Sequence, residues 1–138
     1  MVTLLIGKKG SGKTKRLIEE ANAAVQTSTG SVVVVEKGAK LTYDLTHKAR
    51  LIDSDAYGIN SFDTLYGFLS GICAGNYDVT DIFVDSTFKI CGTDSAAFSE
   101  FVKKANALAD EAKTAITFLI SSAKEDLPAD IEATLEEL

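Results

Sequence analysis

The sequence predicts an α/β fold, a three-layer α/β/α sandwich around a mainly parallel, five-stranded sheet. Short apolar runs alternate along the chain with segments of helical periodicity, as they do in strand–helix–strand units with right-handed crossovers. Most of the runs are continuously apolar, which is typical of strands that helices cover on both faces. The chain has 138 residues, of which 46% are hydrophobic, so one domain with one core accounts for its length.

Five apolar runs are the predicted strands. They cover residues 2–6, 32–35, 51–52, 82–84 and 116–120. The run at 51–52 is the shortest, and it is followed directly by a polar segment that contains Asp53. Each of the others has the length and the apolar content of a buried strand.

Three helices are predicted between the strands. The first has one buried stripe, since its apolar residues follow helical spacing at Leu17, Ile18, Ala21, Ala24 and Val25. The second runs from Phe62 to the breaker Gly75-Asn76, and the third carries its stripe between Phe98 and Ala112. Residues 36–50 are less regular, and either a short helix or a mobile loop is expected there.

Residues 124–138 are predicted to be an acidic tail packed on the domain formed by residues 1–123. Pro128 suits the first turn of a helix, and Ile131, Leu135 and Leu138 follow at helical spacing. An edge strand is the alternative, but we expect a helix.

Charge is distributed unevenly along the chain. The net charge is −6, but the tail holds six acids and one lysine, a balance of −5, which leaves −1 for residues 1–123. The first sixteen residues carry five basic groups and no acid. The acidity therefore belongs to the tail, whereas the beginning of the chain is locally basic, as a site for phosphate groups should be.

No apolar stretch is long enough for a signal peptide or a membrane span, so a cytoplasmic protein without a membrane partner is expected. Cys73 and Cys91 have neither C-x-x-C spacing nor a companion histidine. They are expected to be reduced thiols that pack as small hydrophobic side chains.

A glycine-rich segment follows the first strand. It consists of Gly7, Lys8, Lys9, Gly10, Ser11, Gly12, Lys13 and Thr14, which match the pattern G-x-x-x-x-G-K-[ST] at every fixed position. A triphosphate needs several backbone N–H donors around it, and glycines let the chain wrap that closely. The helix that follows adds free N–H groups and the positive end of its dipole. The segment is therefore predicted to bind a nucleoside triphosphate.

Three side chains are expected to act on the phosphates and on a magnesium ion. Lys13 supplies a positive charge for the outer phosphates, and the Thr14 hydroxyl can ligate Mg²⁺. Asp85 follows the strand at 82–84 and is the expected carboxylate ligand, because ligand sites lie at the carboxyl ends of parallel strands. Asp53 is the competing carboxylate, and a turn cap is the alternative role for Asp85.

With these motifs the chain resembles the P-loop nucleoside triphosphatases. Residues 7–14 match the Walker A motif and residues 82–85 the Walker B strand, and the order of elements is similar to the core of bacterial thymidine kinases. The resemblance implies a P-loop NTPase fold, with the strand at 116–120 inserted between the two Walker strands and ending in a polar sensor. Ser121, or alternatively Ser122, occupies the sensor position and joins Lys13 and Asp85 as a catalytic candidate.

The chain also departs from that family. The position after the Walker B aspartate, where the family usually carries a catalytic glutamate, is Ser86, which cannot serve as a general base at neutral pH without help. The zinc-bearing lasso of thymidine kinases is missing. Small twitching-motility ATPases share the Walker A pattern, but their acidic and histidine boxes are missing too, and His47 is the only histidine. Arg16 and Arg50 are the only arginines, and no lid-like segment contains both.

These observations predict a protein that binds ATP and Mg²⁺ and is a slow or partner-dependent ATPase. One alternative is a nucleotide-dependent regulatory module, in which ATP orders residues 36–50 for a protein partner. A second alternative is a small phosphotransferase similar to nucleoside kinases. Nucleic acid is not expected as a partner, because Tyr43 and Tyr57 are isolated and no aromatic strip accompanies the basic residues.

Overall fold

A computed structural model describes residues 1–138 and contains a six-stranded parallel sheet with four helices. In chain order the elements are β1 (Thr3–Gly7), α1 (Lys13–Thr27), β2 (Ser31–Glu36), β3 (Arg50–Asp53), α2 (Phe62–Gly75), β4 (Val79–Val84), α3 (Thr87–Cys91), α4 (Ser95–Ala112), β5 (Ala115–Ser121) and β6 (Thr134–Glu137). The α/β class and the parallel sheet are confirmed, and each predicted strand overlaps an observed one. None of the helices combines the length and the apolar character that crossing a membrane requires.

The strands lie in the order β3-β2-β4-β5-β1-β6, and every neighbouring pair is parallel. The strand predicted at 116–120 is β5, and it does lie between β1 and β4. Because the strands are parallel, their carboxyl ends meet at one edge of the sheet. The residues brought to that edge are Gly7, Glu36, Asp53, Asp85 and Ser121.

Helices cover both faces of the sheet, and alternate strand residues point to opposite faces. In β1, Leu4 and Ile6 pack in the cluster under α2 and α4, whereas Leu5 packs in the cluster that contains α1 residues. The valines of β2 divide between the two clusters in the same way. This arrangement is compatible with three layers and explains why the strands read as continuously apolar.

Residues 37–49 form a series of turns that pack beside α1, rather than the short helix that was one of the two expectations. Leu41, Leu45 and Ala49 are buried in the same cluster as the apolar residues of α1. Glu36 is 1% exposed, and its carboxylate accepts the backbone N–H groups of Lys40 at 3.1 Å and Leu41 at 2.8 Å. These contacts anchor the turns to the end of β2.

The predicted tail helix is wrong, and the sheet has six strands rather than five. Residues 134–137 form β6, which pairs with β1 and places Leu135 beside Leu4. The Thr134 N–H donates to the Val2 carbonyl at 3.0 Å, and the Leu138 N–H donates to that of Ile6 at 2.9 Å. These bonds satisfy the outer edge of β1, and in this tail that pairing outweighs a weak helical spacing.

Asn106 on α4 holds the segment before β6 in place. Its side-chain oxygen accepts the Val2 N–H at 2.7 Å, and its amide donates to the Glu132 carbonyl at 2.7 Å. The Ser99 hydroxyl adds a bond to Asp130 at 3.1 Å. The tail is therefore tied both to the sheet and to α4.

The substitution Glu20→Gln is expected to stabilise the protein at pH 7 and to have no effect below about pH 4. One carboxyl oxygen of Glu20, on α1, is buried without a hydrogen-bond partner. Burial raises the pKa of Glu20, and Glu136 on β6 and Glu19 raise it further, whereas Arg16 opposes them. An acid with a raised folded pKa contributes its full stability below its unfolded pKa and loses it as the pH rises through the folded pKa.

Urea unfolding at the two pH values measures this effect. We expect a gain of up to about 1 kcal/mol at pH 7, because the group is partly exposed and screened. Glu19→Gln, at the exposed neighbouring position, is the matched control and should change the free energy of unfolding much less. A Glu20→Gln variant that is less stable than the wild type at pH 7 would contradict the prediction.

Candidate functional site

The segment between β1 and α1 turns sharply at the carboxyl edge of the sheet. Gly10 and Gly12 have φ values of 85° and 93°, in the left-handed region that glycine adopts without strain. Gly7 lies against the side chain of Ser11, so closely that an added Cβ would overlap its hydroxyl. The Ser11 N–H donates to the Lys8 carbonyl at 3.0 Å and closes the turn. The backbone path therefore favours glycine at Gly10 and Gly12, and a side chain at Gly7 would have to displace the Ser11 hydroxyl.

Helix α1 begins at Lys13 without a side-chain cap and without an acidic residue in its first turn. Its first N–H groups and the positive end of its dipole are thus left without a side-chain partner. The Lys13 side chain is only 8% exposed, and its Nζ donates to the Lys8 carbonyl at 3.0 Å and to Ser11 Oγ at 3.4 Å. Burial lowers the pKa of Lys13, while Asp85 opposes this shift. The turn concentrates donors at one point, where an anion would be attracted.

Thr14 and Asp85 meet beside this turn. Asp85 is 8% exposed, and its backbone N–H donates to the Val35 carbonyl at 2.8 Å, which holds it at the end of β4. Thr14 Oγ1 donates to Asp85 Oδ1 at 3.3 Å. Adjacent ligands of an octahedral Mg²⁺ lie about 3 Å apart, because each metal–oxygen distance is about 2.1 Å. The separation of these two oxygens therefore fits a magnesium ion.

The remaining ligands of such an ion would be water and phosphate oxygens. No group of three or more His, Cys, Asp or Glu side chains in the structure is arranged to hold a metal. Mg²⁺ commonly binds through one or two carboxylates together with the phosphates of a substrate, so the Thr14–Asp85 pair is the kind of partial site it uses.

A cavity of about 470 Å³, called the cleft below, joins these groups. It is lined by Lys13, Thr14, Asp85 and Ser121, which are the residues predicted for catalysis and metal binding. Ser121 reaches it because β5 lies beside β1, with Ser121 in register with Gly7. Lys9, Gly10 and Gly12 also line the cleft, whereas Gly7, Lys8 and Ser11 do not. Gly7, Lys8 and Ser11 instead shape the turn, and Lys8 and Ser11 accept hydrogen bonds from the Lys13 ammonium.

Sequence reasoning missed the helix that closes the cleft on its other side. Asp85 is followed by Ser86, whose φ of 53° is left-handed and therefore uncommon for serine, and whose hydroxyl donates to Asp85 Oδ2 at 3.2 Å. This turn starts α3, which brings Phe88 and Lys89 into the cleft. A helix of five residues is too short to show a helical period in the sequence. Only their nearness to Asp85 could have identified these residues as candidates for the site.

A scan against protein-family models finds no match for this chain, and a search of curated proteins finds none either. What the cleft can do is therefore inferred from its own residues.

Other residues singled out in the sequence lie elsewhere or have structural roles. Asp53 accepts the N–H groups of Gly38 and Asp55, each at 2.9 Å, and caps the turn that follows β3. Arg50 begins β3 and therefore lies at the opposite edge of the sheet. Arg16 is 3.8 Å from Glu136, on the tail side of α1. None of them lines the cleft.

The two cysteines are free thiols, and neither lines the cleft. Burial raises the pKa of Cys91 to about 12 and also raises that of Cys73. At neutral pH Cys91 is therefore protonated and a poor nucleophile.

Proposed function

We propose that this protein binds ATP and Mg²⁺ in the cleft, has a P-loop NTPase fold and is a slow or partner-dependent ATPase. One observation carries the proposal. Lys13, Thr14 and the uncapped start of α1 converge on one cavity with Asp85, which lies 71 residues after Thr14 in the chain. These are the donors, the positive charge and the metal ligands that a magnesium-bound triphosphate needs.

Each group has a distinct task in this proposal. The Lys13 ammonium exchanges its bonds to the Lys8 carbonyl and the Ser11 hydroxyl for bonds to phosphate oxygens. The backbone N–H groups around Gly10 and Gly12 surround the phosphates. Thr14 and Asp85 would hold the magnesium ion, which supplies positive charge to neutralise the phosphates.

Slow hydrolysis is proposed because no free carboxylate is placed to activate water. The residue after Asp85 is Ser86, which is not a carboxylate. Strand β2, one of the two neighbours of β4 in the sheet, ends in Glu36. Both oxygens of Glu36 accept backbone N–H groups, and its side chain is almost completely buried. Without a general base the rate loses a factor of roughly 10²–10⁴. The absence of a general base also favours the alternative function, a regulatory module whose protein partner recognises the nucleotide-bound state.

Calorimetric titration of the wild type with ATP, with magnesium and then with EDTA in its place, tests the proposal. Magnesium should strengthen ATP binding to the wild type, and Asp85→Asn should lose most of that gain because a neutral amide is a weaker magnesium ligand than a carboxylate. Asp81→Asn is the matched control, since Asp81 lies near the opposite end of β4. Phosphate release at saturating ATP should be slower than about 1 s⁻¹, the lower end for typical enzymes.

Two results would contradict the proposal. One is a wild type that does not bind ATP. The other is an Asp85→Asn variant with the same magnesium dependence as the wild type.

A further inference from the structure

Lys89 of α3 is the one cation of the cleft that does not come from the glycine-rich turn or from α1. Four lysines line the cleft, and no arginine does. Lys9 belongs to the turn, and Lys13 and Lys15 belong to the first turn of α1. Lys89 lies four residues after Asp85, on the helix that closes the cleft on its other side. The cleft therefore has positive charge on both of its sides.

The order of the strands separates these two sides. The glycine-rich turn follows β1 and α3 follows β4, with β5 between the two strands. Leu17 of α1 packs in the cluster on one face of the sheet, whereas Ile90 of α3 packs in the cluster on the other face. A chain of phosphates bound at the turn would thus have α1 on one side and α3 on the other.

Helix α3 is firmly packed, although it has only five residues. Thr87 and Ile90 are 0% and 4% exposed, and the ring of Phe88 packs edge-on against Phe98 with the ring centroids 5.1 Å apart. Lys89 lies between these anchors in the chain, but its side chain is exposed and takes part in none of the ion pairs of the protein. A fixed helix therefore brings an unpaired cation to the cleft.

The outer phosphate of a bound triphosphate would lie toward this helix. In a glycine-rich turn of this pattern the backbone N–H groups hold the inner phosphates, and the lysine reaches the outer ones. A magnesium ion at Thr14 and Asp85 would bridge the two outer phosphates at the end of β4. Because α3 begins two residues after Asp85, the last phosphate of the chain would come near α3. A diphosphate has no group at that place.

We propose that Lys89 binds the outer phosphate of a nucleoside triphosphate and makes the cleft selective for a triphosphate over a diphosphate. This inference rests on the proposed binding of ATP in the cleft. The Lys89 ammonium gives up no ion pair when it binds, so its contact with the outer phosphate adds a charge-assisted hydrogen bond that a diphosphate cannot form. ADP keeps Lys13 and the turn as its partners and binds without Lys89.

Calorimetric titrations with ATP and with ADP, both in the presence of magnesium, test this role. The wild type should bind ATP roughly 10-fold more tightly than ADP, the lower end for one charge-assisted hydrogen bond. Lys89→Ala should lose this preference through weaker ATP binding, with its ADP affinity unchanged, whereas Lys89→Arg should keep the preference. A titration with β,γ-imido-ATP, which is not hydrolysed, checks that turnover does not distort the value for ATP.

Lys48→Ala is the matched control for these variants. It removes an exposed lysine that takes part in no ion pair and lies outside the cleft, so both nucleotide affinities should stay as in the wild type.

Three results would overturn the inference while the wild type still binds ATP. One is a wild type with equal affinity for ATP and ADP, and another is a Lys89→Ala variant that keeps the preference of the wild type. The third is an equal loss of ATP and ADP affinity in Lys89→Ala, which would show that Lys89 supports the cleft as a whole. A wild type that binds neither nucleotide would instead contradict the proposed function, and this inference with it.

Discussion

Replacing Lys13 with alanine is expected to weaken ATP binding roughly 10- to 100-fold, since a charge-assisted hydrogen bond contributes about 1.5–3 kcal/mol. The Lys13 side chain is buried against the turn that it serves, and its ammonium already lies over the glycine-rich segment. Little ordering is therefore needed when a phosphate replaces the Lys8 carbonyl as its partner. Calorimetric titration with ATP and magnesium measures the loss.

Lys104→Ala is the matched control for this substitution. It removes the same charge from the surface of α4, where the ammonium lies 5.6 Å from the ring centre of Tyr66. Its effect on ATP affinity should be less than about threefold, because charges on separate surfaces are screened at physiological ionic strength. Equal losses in Lys13→Ala and Lys104→Ala would show that net charge, and not the cleft, governs binding.

Replacing Phe101 with alanine is expected to lower the free energy of unfolding by about 3–5 kcal/mol. Phe101 on α4 is 2% exposed, and its ring centroid lies 5.2 Å from those of both Phe62 and Phe118. It therefore joins α2, α4 and β5 in one aromatic cluster, and its removal leaves a cavity between the helices and the sheet. Since a domain of this size has about 5–15 kcal/mol of stability, the loss is a large fraction of the total.

Urea unfolding at pH 7 measures this loss in the free energy of unfolding, and two control variants are measured beside it. Phe101→Leu keeps most of the buried volume and should cost clearly less than the alanine substitution. Tyr77→Ala removes an aromatic side chain that is 98% exposed and should change stability by no more than about 0.5 kcal/mol. If Phe101→Ala and Tyr77→Ala cost the same, the aromatic cluster does not hold the helices on the sheet.

The acidic tail is an integral part of this fold. It completes the sheet at β1, and three of its six acids lie 3.8 Å from cations. The pairs are Asp130 with Lys103, Glu136 with Arg16, and Glu137 with Lys124. These pairs are exposed and contribute little stability by themselves. The larger contribution is the backbone pairing, which covers an otherwise open strand edge next to the glycine-rich turn. Removing the tail would therefore leave the outer edge of β1 unpaired.

Much of the architecture follows from local patterns. The strands could be predicted because buried parallel strands are continuously apolar, and the three longer helices because each is long enough to show its period. The glycine-rich segment could be recognised because a turn with φ values near 90° at Gly10 and Gly12 needs glycine at those positions. In each case the signal lies within a few neighbouring residues.

Three other features depended on residues far apart in the chain. Strand order places Asp85, and not Asp53, beside the glycine-rich turn. Only β5 lies between β4 and β1, whereas β3 lies at the far side of the sheet and its aspartate caps a turn. Helix α3 is too short to show a helical period in the sequence, yet its residues line the cleft. The tail forms a strand because backbone hydrogen bonds to the edge of β1 stabilise it more than a short helix with weak apolar spacing would.

By itself, the sequence determined the α/β class and the glycine-rich turn, and it predicted Lys13 and Thr14 as candidate binding residues, since each depends on composition or spacing over a short stretch. Only the tertiary structure decided that side-chain oxygens of Thr14 and Asp85, 71 residues apart in the chain, lie 3.3 Å from each other, and that residues 134–137 of the tail form a sixth strand. The physical reason is that parallel strand pairing brings the ends of distant segments to one edge of the sheet. The order in which the strands pair depends on packing between residues that are far apart in the sequence, and no local pattern contains that information.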